Sequence, residues 1–254
     1  MPKHVMHLGD VGLASRNVSK ALLALGLAMA ILIVFGRPLW YSAYTKLTGR
    51  RTVADVVYEY GTDARARLAP ALDEAGIDYP PVALTLLAFK EERELELWAR
   101  TSGDWHLVHT YPILGASGGP GPKLHEGDRQ VPEGVYRIIG LNPNSSLHLS
   151  MKLDYPNGFD VTHAEQDGRD NLGGDIFIHG KDISVGCIAV GDPAIEELFI
   201  LVDDVGSDNV TVLVAPSDPR EGPLERGIED APEWLPELYD LIEKEFEPFY
   251  HPNA

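Results

Sequence analysis

At Val82 the spacing of the apolar residues changes, and that change limits what the rest of the chain can become. Upstream, Val53–Ala75 carries apolar side chains at helical intervals, with Gly61 and Pro70 as interruptions, so it predicts two short helices closed by Gly76. Downstream, apolar residues come in short runs bounded by turn formers: Val82–Phe89, Leu95–Arg100, Trp105–Tyr111, Val135–Leu141, Leu147–Leu153 and Asn209–Val214. Closely spaced strands of this kind predict an antiparallel, mainly β domain. Lys90–Glu94 reads as a solvated hairpin turn.

Helices are expected only at the periphery. Asp192-Pro193 opens one over Ala194–Val202, with Glu196 and Glu197 near its positive end. Pro232–Phe249 is amphipathic, with Trp234, Leu235, Leu238, Leu241, Ile242 and Phe246 on one face. Two long polar stretches, Gly115–Glu133 and Pro156–Gly174, read as loops, and loops of that length in a compact domain tend to be functional. The chain therefore divides into an N-terminal segment with connector (1–50), a helical preface (51–78), a mainly β domain (79–216) and a C-terminal loop with a packing helix (217–254).

Within the N-terminal segment, Ala21–Gly36 is uncharged and apolar. As a helix at ~1.5 Å per residue it spans about 24 Å, a little short of a hydrocarbon core of roughly 30 Å. Arg37, Trp40 and Tyr41 can extend that span at the interface. An uncleaved membrane anchor is expected at residues 21–36, with a cleaved signal peptide as the alternative. Either puts the remainder outside the cytoplasm. The net charge of −18 argues against a nucleic-acid partner, because phosphate binding needs a basic surface.

Chemistry concentrates in Asp175–Asp192, DIFIHGKDISVGCIAVGD. Asp175–Ile178 reads as a buried strand that ends at His179-Gly180. A short polar loop leads to Val185-Gly186-Cys187, and Ile188–Val190 begins the next apolar run. Cys187 is the only cysteine, so no intramolecular disulfide can form, and a leftover thiol in an exported protein suggests a reactive residue or an intermolecular bridge. An imidazole and a thiol at the two ends of one tight loop suit a nucleophile and its base, with backbone N–H groups of the turn at an oxyanion. His109, His125, His148 and His163 are scattered and form no metal motif, and His148 reads as structural. No cofactor and no metal are expected.

His179-Gly180 followed by Ser184-Val185-Gly186-Cys187 resembles the signature of the L,D-transpeptidase (YkuD-type) family. Its commoner branch carries a second histidine where this chain has Val185 and an arginine where it has Ala189. Those departures resemble the YafK-like, murein-remodelling branch. Gly121-Pro122-Lys123, Glu126–Tyr136 and Leu141–Ser145 also match it, so the resemblance covers about Tyr79–Pro216.

The resemblance implies an L,D-transpeptidase-like β-sandwich or barrel with a few peripheral helices in the bacterial cell envelope, and the apolar run at 21–36 is expected to anchor it in the inner membrane with the domain on the periplasmic side. It implies a cysteine acyltransferase acting on peptidoglycan stem peptides through a thioester. Cys187 is then the nucleophile and His179 its base, oriented by the Gly180 carbonyl. Val185 and Gly186 help form the oxyanion turn, and Lys123, Glu126, Gln130 and Ser184 contact substrate. The alternatives are a murein amidase or endopeptidase with the same site, cleaving peptidoglycan or the link to a murein-bound envelope protein, and a catalytically silent wall-binding protein.

Overall fold

The computed structural model describes residues 49–249. The expected anchor at 21–36 lies outside them. Among the described residues no helix is long and apolar enough to cross a membrane.

The chain runs α1 (Val53–Ala75), β1 (Ala83–Phe89), β2 (Glu94–Arg100), β3 (His106–Pro112), β4 (Gly134–Asn142), β5 (Ser150–Leu153), α2 (Gly158–Gln166), β6 (Phe177–His179), β7 (Ile188–Ala189), α3 (Asp192–Val205), β8 (Val210–Ala215) and α4 (Leu235–Phe246). The strands form one eight-stranded sheet in the order β3-β2-β1-β8-β4-β5-β6-β7. The mainly β character stands, and the expected sandwich or barrel takes the form of a single half-barrel sheet. Nor is the sheet purely antiparallel: β1 pairs with β8, and β6 with β7, in parallel.

Helices rather than a second sheet cover the central strands, and side-chain alternation explains how. Leu84, Leu86 and Ala88 of β1, with Val210, Val212 and Val214 of β8, point into a core shared with Leu68 and Leu72 of α1 and Leu198, Phe199 and Val202 of α3. Leu87 and Phe89, with Leu213 and Ala215, point the other way, onto Leu238, Tyr239, Ile242 and Phe246 of α4. A strand buried on both faces reads as a continuous apolar run, which is how ALTLLAF looks.

Two helical expectations are corrected. Val53–Ala75 is one helix, not two, with Pro70 inside it. A proline there removes a backbone hydrogen bond and costs about 3 kcal/mol or more. Tertiary contacts offset this: Val56, Ala64, Leu68 and Leu72 are buried, Arg65 binds Asp204 through two bonds of 2.8 and 2.7 Å, and Arg67 binds Glu197 at 2.5 Å. Gly76 closes the helix in a left-handed conformation, as expected. The second correction is α2, inside the stretch read as a loop. Its start is written in Asn157 and Asp160, a capping box in which each side chain accepts the other's backbone N–H.

Candidate active site

The connection Gly180–Cys187 joins the parallel neighbours β6 and β7, and it is shorter than the dozen or so residues such crossovers usually need. It can be short because the ladder is brief: only Ile178 with Ile188 and His179 with Ala189 pair. Both ends of the loop are thereby fixed in register, with His179 closing one strand and Cys187 preceding the next.

Close packing then shapes the loop. A Cβ on Gly180 would lie 2.6 Å from Asp192 Oδ1 and 2.8 Å from the Leu147 carbonyl. Space, not an unusual φ, requires glycine there. Asp192, the first residue of α3, accepts the Lys181 N–H at 2.9 Å and also pairs with the Lys181 ammonium. Gly115 passes the far side of the loop, where a Cβ would come within 2.6 Å of the Asp182 carbonyl. Gly186 adopts a φ of 81°, a left-handed turn that other residues resist.

A chain of hydrogen bonds runs through the loop. The His179 ring Nδ1 lies 2.6 Å from the Gly180 carbonyl, which can only accept, so Nδ1 carries the proton and Nε2 its lone pair. Nε2 faces the Ser184 hydroxyl at 3.3 Å, and the same oxygen accepts the Cys187 N–H at 3.1 Å. The Gly186 N–H donates to Ser117 Oγ at 2.7 Å. Both backbone donors around the cysteine are thus engaged by hydroxyls in the free protein. The thiol donates to the Asp175 carbonyl at 3.7 Å. Burial draws the His179 pKa below the ordinary imidazole value, against the Gly180 bond. Burial also raises the Cys187 pKa and the Asp175 charge adds to it, while the Phe177 backbone and the Lys123 charge oppose. The resting pair is neutral imidazole and neutral thiol.

Cys187 opens onto a cleft of about 230 Å³, walled by Lys123, Glu126 and Arg129 on one side and Gly173–Ile176 on the other. The two long polar stretches do face each other across it. Val185 lines it and is 66% exposed. Of the expected substrate contacts, Glu126 reaches the cleft directly. Lys123 lines it too, but is buried and bound to Asp128 at 2.6 Å and the His125 carbonyl at 2.8 Å. Gln130 turns away: its side-chain oxygen accepts the Gly119 N–H at 3.0 Å. Ser184 lies inside the loop, between imidazole and cysteine. Ala189 is fully buried beside Gly115, which leaves no open surface for an arginine at that position.

Other placements differ from the sequence reading. Asp175 is outside the strand, at a φ of 55°, which turns its carbonyl to the sulfur. His148 precedes β5 rather than lying on a strand, and it pairs with Glu196 at 2.8 Å. The sequence reading assigns no role to Ser117, and it places Arg129 only within the long polar stretch. Ser117 is the one hydroxyl in the glycine-rich GASGGPG run, a signal that could have found it.

The model of the YkuD family, described as the L,D-transpeptidase catalytic domain, matches residues 86–214. The chain is 31% identical over 169 residues to YafK of Escherichia coli (strain K12), whose name assigns it provisionally to the L,D-transpeptidases. That match covers 63% of this chain and 66% of the relative, just short of two thirds of its length. Among solved structures, the helical cell shape determining protein Pgp2 from Campylobacter jejuni is similar at 21% identity and a TM-score of 0.42, over 59% of this chain and 55% of that one. Bd1075 from Bdellovibrio bacteriovorus is similar at 19% identity and a TM-score of 0.40, over 68% and 57%.

Proposed function

Since the chain belongs to the YkuD family of L,D-transpeptidase catalytic domains, we propose that it is a peptidoglycan-modifying enzyme of the cell envelope with Cys187 as its nucleophile. One observation carries the reading: the sole thiol opens onto a cleft from a turn that also binds, through Ser184, the basic nitrogen of His179.

The donor is a stem peptide laid between the two loop walls. As Cys187 sulfur attacks the donor carbonyl, the thiol proton passes to His179 Nε2, and Nδ1–H stays on the Gly180 carbonyl. The carbonyl oxygen becomes an oxyanion and takes the Cys187 N–H, displacing the Ser184 hydroxyl from it. Collapse breaks the C–N bond. The leaving amine departs with the proton from His179, and a thioester remains. An acceptor amine attacks the thioester to give a new amide and restores the thiol; water in its place gives the acid. Because the resting pair is neutral, the proton moves as the substrate reacts rather than beforehand.

The test is direct. The full chain and its Cys187→Ala variant are incubated with purified muropeptides, with and without a D-amino acid, and product masses are followed. Exchanged or crosslinked products made only with Cys187 support acyl transfer to amines. Hydrolysis alone moves the assignment to an amidase or endopeptidase. Equal inactivity of both proteins on free and protein-linked murein would overturn the enzyme reading in favour of a wall-binding protein.

A further inference from the structure

Four charged side chains line the cleft before Cys187: Lys123, Glu126, Arg129 and Asp175. Lys123 is neutralised by Asp128, and Asp175 pairs with Lys152 at 2.6 Å. Arg129 is exposed and forms no ion pair among the described residues. Among the described residues it is the cleft's one uncompensated cation.

Its backbone is held firmly. Arg129 has a φ of 60°, uncommon for a residue with a long side chain. Its carbonyl accepts the Ser117 hydroxyl at 2.7 Å, and that hydroxyl in turn accepts the Gly186 N–H at 2.7 Å. The next residue, Gln130, donates its N–H to Asp128 Oδ1 at 3.0 Å and receives the Gly119 N–H on its side chain at 3.0 Å. A strained backbone braced on both sides, tied to the nucleophile's own turn and carrying a free guanidinium, is suited to reading an anion. Glu126 and Asp175 in the same cleft repel anions, so an anion is favoured only where it meets Arg129.

We propose that Arg129 is a specificity-determining residue that binds a carboxylate of the substrate beside Cys187, and that Ser117 positions it. This rests on the reading of Cys187 as nucleophile. The ligand class is a carboxylate held two-pronged by a guanidinium, as on an amino-acid end adjoining the bond to be broken.

Two alkylating agents that differ in one group test it. Iodoacetate carries a carboxylate where iodoacetamide carries an amide, and with a single cysteine all thiol alkylation, read as loss of free thiol, reports on Cys187. In the full chain, Arg129→Gln is expected to lower the iodoacetate-to-iodoacetamide rate ratio about three- to tenfold, the range for one partly exposed charged contact. Arg129→Lys retains part of the ratio, and salt narrows the difference. An unchanged iodoacetamide rate reports an intact turn. An unchanged ratio in Arg129→Gln overturns the proposal. In turnover, the same variant should lower kcat/KM more for a donor peptide with a free carboxylate than for its amidated counterpart. If the wild type turns over no muropeptide but the alkylation ratio still falls, the function assigned above fails and the carboxylate site stands. If muropeptides react and Arg129→Gln alters neither readout, the site fails and the function stands.

Discussion

The Nε2 of His179 and the hydroxyl of Ser184 stand 3.3 Å apart, and the serine oxygen also holds the Cys187 N–H at 3.1 Å. One side chain thus sets both the imidazole's outward nitrogen and the amide of the proposed nucleophile. Removing it with Ser184→Ala should lower kcat about ten- to hundredfold, the worth of hydrogen bonds to groups that become charged. Ser184→Thr keeps the oxygen and should recover most of it. A Ser184→Ala enzyme with undiminished kcat on muropeptides would reduce the serine to a turn residue.

Burial disfavours both imidazolium and thiolate. The acid limb of kcat/KM should therefore fall below the ordinary imidazole value of about 6.5. Iodoacetamide alkylation of the free protein should rise only above the ordinary thiol value of about 8.5. Stability follows the same sign. The unfolded chain takes up the imidazole proton first, so this contribution is whole above about pH 6.5 and is lost as pH falls through the depressed folded value. An alkylation inflection near neutrality would reveal a preformed thiolate–imidazolium pair and sink the neutral resting state.

Gly180→Ala should destabilise the protein by about 1–3 kcal/mol, the usual cost of overpacking. The new methyl would press on Asp192 Oδ1 at 2.6 Å and on the Leu147 carbonyl at 2.8 Å, and the latter, being backbone, cannot easily yield. The check is a lower denaturant midpoint at unchanged slope. Activity per folded molecule should also drop, because the Gly180 carbonyl orients His179. An unmoved midpoint would show that the loop is loosely packed.

Lys90 anchors the cleft wall from within. Its ammonium binds Glu133 Oε1 at 2.9 Å and the carbonyls of Gly121 and Val131 at 3.1 Å, near both ends of the segment that carries Lys123 and Arg129. Tyr239 of α4 donates to the same carboxylate at 2.9 Å. Lys90→Met should cost about 3–5 kcal/mol by leaving Glu133 buried and unpaired. Adding Glu133→Gln should restore part of that loss in chemical denaturation. If the double variant is no better than the single one, the pair is not what holds the wall.

Sequence periodicity was enough to place the strands within a residue or two, apart from the late start of β5, and to find α3 and α4, because alternation and helical spacing are local properties. It also singled out the His179–Cys187 stretch, since residue type and spacing along one short loop carry that signal. What lay beyond local reach was decided by packing. Pro70 stays helical because α1 is buried against α3, and a strand such as ALTLLAF does not say whether helices or another sheet cover its two faces. The same holds at the site. Arg129 and Ser117 come from one loop and Gly186 from another, and their hydrogen bonds exist only once β6, β7 and the long polar segment are folded together. The sequence named the thiol, the imidazole and Ser184 between them; the Ser117 hydroxyl on the Gly186 N–H and the charge that faces the cleft depend on contacts between separate loops, which only the tertiary structure sets.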